Sequence, residues 1–453
     1  MLDARRRDLF VMYTHALGAV HGRQAVFDHL YARLPTRPVY LAAVGKAAAA
    51  MAAGAFAAWG DAIHSAVVIT RSGHIPDAAQ REPRTSYLEA AHPIPDARSL
   101  IAGKALVDFV SRVPSTAQCL VLISGGASAL VEVLAAGISL SDWQRINTWL
   151  LASGSDIYVM NALRSALSCI LGGRLMRWLG AHHTNVLLIS DVPGDDPRVI
   201  GSGLLYPQED VPAALNGFVL LDWIKNYLNM APKVTAGTDQ QFKTVRTTIV
   251  ANNAMARNAA ADAARALGYV AYLHAEEIVG DVARAAQNIC DRLLCTSPGV
   301  YIWGGETTLK LPENPGRGGR NQHLALQCAV RLVGRKDIVV LVAGTDGSDG
   351  VTQNTGAIVD GETLVRCDLD VQHVLAHANA ATFLEASDDV LCAGSTGTNV
   401  DGPHHCYAVE LVRYFVLACA KDPRFLDGHH NPTINVNGVA ERTVESRNSG
   451  RIS

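Results

Sequence analysis

The chain has 453 residues, enough for two or three domains, and 49% of them are hydrophobic against 18% charged, so it can bury large cores. A formal net charge of -3 excludes a generally basic nucleic-acid-binding surface, though not a local basic pocket for a small anion. No run approaches the roughly 18 apolar residues of a membrane span.

Taken in order, Met1–Arg7 carries three consecutive arginines and no apolar signal-peptide core. Together with nine cysteines, an odd number without a CxxC pair, this sets the expectation of the reducing cytoplasm. Short apolar runs then recur at Val39–Val44, Ala66–Thr70, Cys119–Ile123, Val186–Ile189, Thr247–Ala251, Val300–Trp303 and Ile338–Ala343. Most precede ten or more residues of helical spacing, the alternation of an α/β fold with mainly parallel sheets. The alanine-rich stretch Ala47–Ala58 reads as a soluble helix. The polar segment Asn229–Lys243 suggests a boundary. The expected architecture is an N-terminal Rossmann-like α/β domain over residues 1–235, a C-terminal α/β domain over 236–415 and an irregular tail over 416–453, with a cleft between the domains.

In such sheets ligands bind beyond the carboxyl ends of the strands, and there the chemically loaded loops fall. Gly45-Lys46 closes the first run at a helix start, where a lysine adds a point charge to free N–H groups. Ser124-Gly125-Gly126-Ala127-Ser128 closes the third and allows close backbone approach to a ligand, without Walker A spacing. Ser190 to Pro197 places Asp191, Asp195 and Asp196 in six residues beside two prolines, an acidic loop suited to Mg²⁺ or, failing that, a solvated turn. Gly304-Gly305-Glu306 closes the sixth run. Gly316 to Gln322 frames Arg317 and Arg320 with glycines before Asn321, a clamp for phosphate or carboxylate. Asp346 lies in Gly344 to Gly350, and Thr396 and Asn399 in a late turn. The histidine pairs 182–183, 404–405 and 429–430 lack zinc spacing. A GxSxG elbow and a GxGxxG fingerprint with its downstream acid are both missing, which disfavours a serine hydrolase and an oxidoreductase.

The strings VGKAAAAMA, EAAHPIPDARS, LISGGASAL, ISDVPGDDP, WGGETTLKL, GRGGRNQ, AGTDGSDG, TGAIVDG and STGTNV, in this order, resemble the glycerate 2-kinase family with its characteristic C-terminal domain. Some members of that family bear the name hydroxypyruvate reductase. The resemblance spans about Val39 to Val400. It implies two α/β domains around a cleft and transfer of the ATP γ-phosphoryl group to the 2-hydroxyl of D-glycerate. It also implies a Mg²⁺ requirement, with Lys46 and Arg320 catalytic. Ser124, Gly125, Gly126, Ser128, Arg164, Arg317, Asn321, Thr396 and Asn399 become candidates for binding substrate or nucleotide. Asp191, Asp195, Glu306 and Asp346 become candidates for the metal. The implied partners are ATP and a small hydroxy acid, with no nucleic acid and no membrane; a homo-oligomer is left open.

The chain departs from the family pattern in one helix. Where the family carries a basic run, residues 161–173 keep Arg164 but have Ser165, Ala166 and Leu171 in place of lysine, histidine and lysine. Two alternatives follow: a kinase of another hydroxy or sugar acid, or a catalytically weak relative that binds nucleotide. A milder possibility is that these positions face solvent, where such changes matter little.

Overall fold

A computed structural model describes residues 4–152, 157–180, 182–207, 215, 220–231, 237–345, 347, 349–392 and 414–420. The first sheet is built from β1 (Val39–Val44), β2 (Ile63–Arg71), β3 (Thr85–Ala90), β4 (Gln118–Ile123), β5 (Thr184–Ile189) and β6 (Val245–Ala251). Every pair is parallel, and the order is β3-β2-β1-β4-β5-β6. This is the doubly wound arrangement, and its direction of winding reverses between β1 and β4.

The strands read as nearly continuous apolar runs because both faces are covered. Alternate residues go to opposite faces. Val44, Val121 and Ile123 join one core, while Leu41, Ala43, Leu120 and Leu122 join another. Helices α1 (Ala4–Ala19), α2 (Gly22–Leu30), α3 (Ala48–Trp59) and α4 (Ala97–Ser111) begin the helical layers. The short α5 (Ala127–Leu130) leads to α6 (Leu140–Ala152) and α7 (Ile157–Leu167). These last two pack together through Trp143, Ile146, Leu150, Met160, Leu163 and Leu167.

The second sheet contains β7 (Ala271–Leu273), β8 (Ile278–Asp281), β9 (Gly299–Thr308), β10 (Ile338–Gly344), β11 (Gly356–Asp360), β12 (Val390–Leu391) and β13 (Tyr414–Ala420). Its order is β12-β11-β10-β13-β9-β7, with β8 also on β9. Here the expectation of a mainly parallel sheet needs correction. Only β7 and β8 run parallel to β9; the other four pairings are antiparallel. The reason is β13. The β9–helix–β10 unit read from the sequence is present, and both of its strands run the same way. β13 inserts between them in the opposite direction.

The same strand corrects the start of the expected tail. Tyr414–Ala420 is central to the sheet, with Val416, Leu417 and Ala418 fully buried. The rest of that tail lies outside the described residues.

Sheet membership also crosses the boundary expected near 235. β6 completes the first sheet, while α1 packs on the second. The α1 residues Leu9, Met12, Tyr13 and Ala16 recur at helical spacing and meet Val300, Ile302, Val339 and Leu341. Arg6 fixes the helix by donating to Asp360, Asp389 and the Ile358 carbonyl. Both sheets belong to one compact unit, Met1–Lys421. Among the described residues no helix is long and apolar enough to cross a membrane.

Candidate active site

The register of the first sheet puts three loops side by side. Val44 pairs with Ile123, and Ile123 with Leu188, so the segments after β1, β4 and β5 emerge together. Hydrogen bonds join the first two: the Lys46 N–H donates to the Gly125 carbonyl, and the Ala47 N–H to Ser124 Oγ, each at 3.0 Å. The third loop closes against them at Gly125, where a Cβ would come within 1.9 Å of Asp191 Oδ2. Any side chain at 125 would push that carboxylate away. Gly126 has φ +81°, and a Cβ there would meet the His92 ring at 2.9 Å and Lys46 Cγ at 3.1 Å. His92 and Lys46 thus approach from two sides the space that a side chain at 126 would fill.

A cavity opens beyond these strand ends at the switch point. Lys46, His92, Gly126, Ser128, Asn161, Arg164, Asp191 and Ser202 supply its polar lining, with Met160, Val192 and Val199 among the apolar residues. Lys46 is 5% exposed and Arg164 7%. Among the described residues neither cation has a carboxylate hydrogen-bonded to it. Arg164 Nε donates to Asn147 Oδ1 at 2.9 Å, which orients the guanidinium. Burial brings the Arg164 pKa down to about 10, against the pull of Glu132. Asn161 is fixed on both sides: its Nδ2 donates to the Val199 carbonyl and its Oδ1 accepts from Ser202 Oγ. His92 is held well below the ordinary histidine range by burial and then by Lys46, Arg71 and Arg164, so its imidazole is neutral. Its Nδ1 is buried and has no hydrogen-bond partner among the described residues.

Behind Arg164 lies Glu132. Its Oε1 accepts from Ser168 Oγ at 2.5 Å and from the Val133 N–H at 2.8 Å, while Oε2 has no partner among the described residues. Burial raises this carboxyl to about 8, against the opposing pull of those two donors, Arg164 and Arg174. This carboxyl, whose field reaches Arg164, therefore holds its proton in neutral solution.

The candidates from the sequence divide accordingly. Lys46, Gly126, Ser128, Arg164 and Asp191 meet around the cavity, with Ser124 and Gly125 directly behind. Asp195 is a neighbour in sequence but accepts from Asn252 Nδ2 at 2.6 Å. The second-sheet candidates are not among the residues lining this cavity. Arg320 pairs with Glu306 at 2.7 Å and also donates to the Thr307 carbonyl. Arg317 grips Glu385 through two parallel hydrogen bonds of 2.9 and 3.0 Å. The Asn321 side chain donates to the Thr355 carbonyl, and the Asn321 and Gln322 N–H groups donate to the Asp349 carboxylate. Asp346, Thr396 and Asn399 lie outside the described residues. Among the described residues no three His, Cys, Asp or Glu side chains gather as a metal cluster.

His92, Asn161, Ser202 and Glu132 escaped the reading of the sequence as site residues. A signal existed for His92: it stands in EAAHPIPDARS, immediately past β3, at the same sheet edge as the glycine loops. Glu132 carries no such mark, because its partner Ser168 lies 36 residues away in sequence.

A doubly wound sheet with glycine loops and buried cations at its switch point defines a class of protein that binds small anions. Comparison with known proteins narrows the class. Residues 8–234 match the family described as a domain of unknown function, DUF4147, and residues 299–402 match the MOFRL family. The chain is 32% identical over 381 residues to the D-glycerate 2-kinase of Thermotoga maritima, covering 80% of this chain and 89% of that one. It is 31% identical over 386 residues to the glycerate 2-kinase of Pyrococcus horikoshii, covering 80% and 86%. The crystal structure of the glycerate kinase of Thermotoga maritima superposes with a TM-score of 0.77 at 28% identity, over 92% of this chain and all of that one. The chain belongs to the glycerate 2-kinase family, with its C-terminal MOFRL domain.

Proposed function

We propose that this chain transfers the terminal phosphoryl group of ATP to the 2-hydroxyl of D-glycerate, giving 2-phosphoglycerate, in the cytoplasm. The observation that carries the reading is the placement of Lys46 and Arg164. Two buried cations, with no carboxylate hydrogen-bonded to them among the described residues, face one small cavity at the switch point. Leaving a buried charge unpaired is costly, so such a pair argues for anionic ligands. Phosphoryl transfer needs little covalent help from a protein; it needs positioning and cations where charge spreads. In this reading Lys46 stabilises the phosphoryl group in flight, and Arg164, oriented by Asn147, holds the substrate carboxylate. Ser128, Asn161 and Ser202 are within the lining to orient hydroxyls. Free thiols at Cys119, Cys169, Cys290, Cys295, Cys328, Cys367 and Cys392 suit the reducing compartment.

Mg²⁺ fits this site in the manner usual for that ion, which takes one or two carboxylates and fills its shell with water and phosphate oxygens. Asp191 would hold it, since Gly125 leaves room for the carboxylate tip against the glycine loop. When bound, Mg²⁺ would neutralise polyphosphate charge. Asp195 and Glu306 would join only by giving up Asn252 and Arg320.

A second reading, a kinase of another small hydroxy acid, has its own observation. Ser165 is 1% exposed and Leu171 0%, so these positions do not face solvent. Cations have been replaced by core-compatible residues near the site, and Leu171 packs with Ile170, Leu175 and Met176. Restoring lysine at 171 would bury an ammonium in that core and destabilise the fold. The test is ADP release with Mg·ATP and a panel of three- and four-carbon 2-hydroxy acids, beside NADH oxidation with hydroxypyruvate. A protein that binds no nucleotide and turns over none of the panel refutes the kinase reading. A kcat/KM on D-glycerate well below about 10⁴ M⁻¹s⁻¹, with a better acid in the panel, favours the second reading.

A further inference from the structure

The phosphoryl acceptor must lose a proton, and the cations of the cavity cannot take it. Lys46 and Arg164 only donate hydrogen bonds in their charged forms. A polyphosphate and a carboxylate only accept, so those cations and anions satisfy one another. The substrate hydroxyl alone brings a donor that must be matched by an acceptor. The lining offers two strong candidates, His92 and the Asp191 carboxylate, and the metal reading commits Asp191 elsewhere.

We propose that His92 is the general base of the reaction, accepting at Nε2 the proton of the acceptor hydroxyl. The proposal rests on the kinase reading above. As the hydroxyl O–H bond breaks, its oxygen forms a bond to the γ-phosphorus. The bond from the γ-phosphorus to the β,γ-bridging oxygen breaks, and ADP leaves with that electron pair. The proton on His92 then passes to solvent after product departs. No further reactant is required.

Three observations place the residue. The ring lines the cavity. Its Cδ2–Nε2 edge reaches to within 2.9 Å of where a Cβ at Gly126 would stand, a position shared with the Lys46 side chain. Its Nδ1, across the ring from that edge, is buried and has no partner among the described residues, which leaves Nε2 as the nitrogen a ligand can reach. The charge balance agrees. In the free protein His92 is kept neutral by burial and by Lys46, Arg71 and Arg164. A carboxylate and a polyphosphate offset those cations, with Asp191 on the same lining. The imidazole therefore becomes more basic when the substrates are in place, at the moment a proton must be taken.

The test uses His92→Gln and His92→Asn in the full chain, with the best hydroxy acid of the panel. Steady-state kinetics are combined with calorimetric titration by ATP and with thermal unfolding. Loss of a general base lowers kcat by about 10²–10⁴-fold. KM for both substrates and the ATP affinity should stay within about threefold. A folded variant with kcat within threefold of wild type overturns the proposal. A raised KM at unchanged kcat also overturns it, since that makes His92 a binding group only. If neither variant folds, the wild-type kcat profile decides. It should fall with unit slope on the acid side, and a flat profile from pH 5 to 8 refutes a histidine base. Wild-type protein without ATP-dependent turnover removes the kinase reading together with this proposal, whereas active wild type with active variants removes His92 alone.

Discussion

The loops at the carboxyl edge of the first sheet and those around β9 and Arg320 use the same vocabulary, glycines framing charged residues. Their charges end in different states. At the first sheet, Lys46 and Arg164 are buried with no carboxylate hydrogen-bonded to them among the described residues, and Glu132, an acid whose field reaches Arg164, is protonated in neutral solution. At the second, Arg320 is paired with Glu306, Arg317 with Glu385, and Asp349 is spent on a helix N-terminus. A glycine-framed charge after a strand is therefore not in itself a site. What separates the two regions is whether the protein has already supplied the counter-charge.

The sharpest way to break this comparison is to remove one cation from each side. Lys46→Met should lower turnover by roughly 10²–10³-fold while the protein stays folded, as expected for loss of one preorganised stabilising group. Arg320→Met should do the same if Arg320, catalytic by the family resemblance, exchanges Glu306 for phosphate during the reaction. Near-normal kcat/KM in the Arg320 variant would leave its ion pair a structural one. Next in size, Asp191→Asn should raise the Mg²⁺ concentration needed for half-maximal activity, and an unchanged Mg²⁺ titration would return the acidic loop to a turn. Arg317→Met should matter least. Its partner is a surface carboxylate, such pairs contribute about 0–1 kcal/mol, and activity should stay within twofold.

Glu132 sharpens the same contrast through pH. Its folded-state pKa, about 8, lies above the ordinary glutamate value of 4.5. Between those two values the folded protein holds a proton that the unfolded chain has released. This group's contribution to stability is therefore full at acid pH and declines as pH rises towards 8. Glu132→Gln should unfold at a higher temperature than wild type at pH 8–9, with the gap closing towards pH 5. A gap that widens on acidification would contradict the assignment.

The legible part of the fold was that set by local pattern. Each of the seven apolar runs is a strand, and the parallel first sheet follows from strand–helix alternation. β3 was missed because TSYLEA mixes polar and apolar residues, as a strand at one end of the sheet order can. β13 was missed because its neighbours are 70 or more residues away in sequence, and only the antiparallel pairing to β9 and β10 makes it a strand. For the candidate site, glycine and lysine at strand ends were readable because close approach constrains the residue type. The pairing of Arg317 with Glu385 and of Arg320 with Glu306 was not, since a partner's distance in space leaves no trace at its position in sequence. The buried Ser165 and Leu171 show the same gap. Their departure from the family's basic run was visible, but only the packing of α7 and the turn after it excludes solvent exposure.

The central claim is that donor and acceptor meet at the switch point between β1 and β4. A crystal structure of the full chain with Mg²⁺, a non-hydrolysable ATP analogue and D-glycerate tests it most directly. The account predicts the terminal phosphate within hydrogen-bonding distance of Lys46, the acid's carboxylate on Arg164 and its 2-hydroxyl against His92. Both ligands seated instead on the Arg317 and Asn321 loops, with the Lys46 cavity empty, would contradict it.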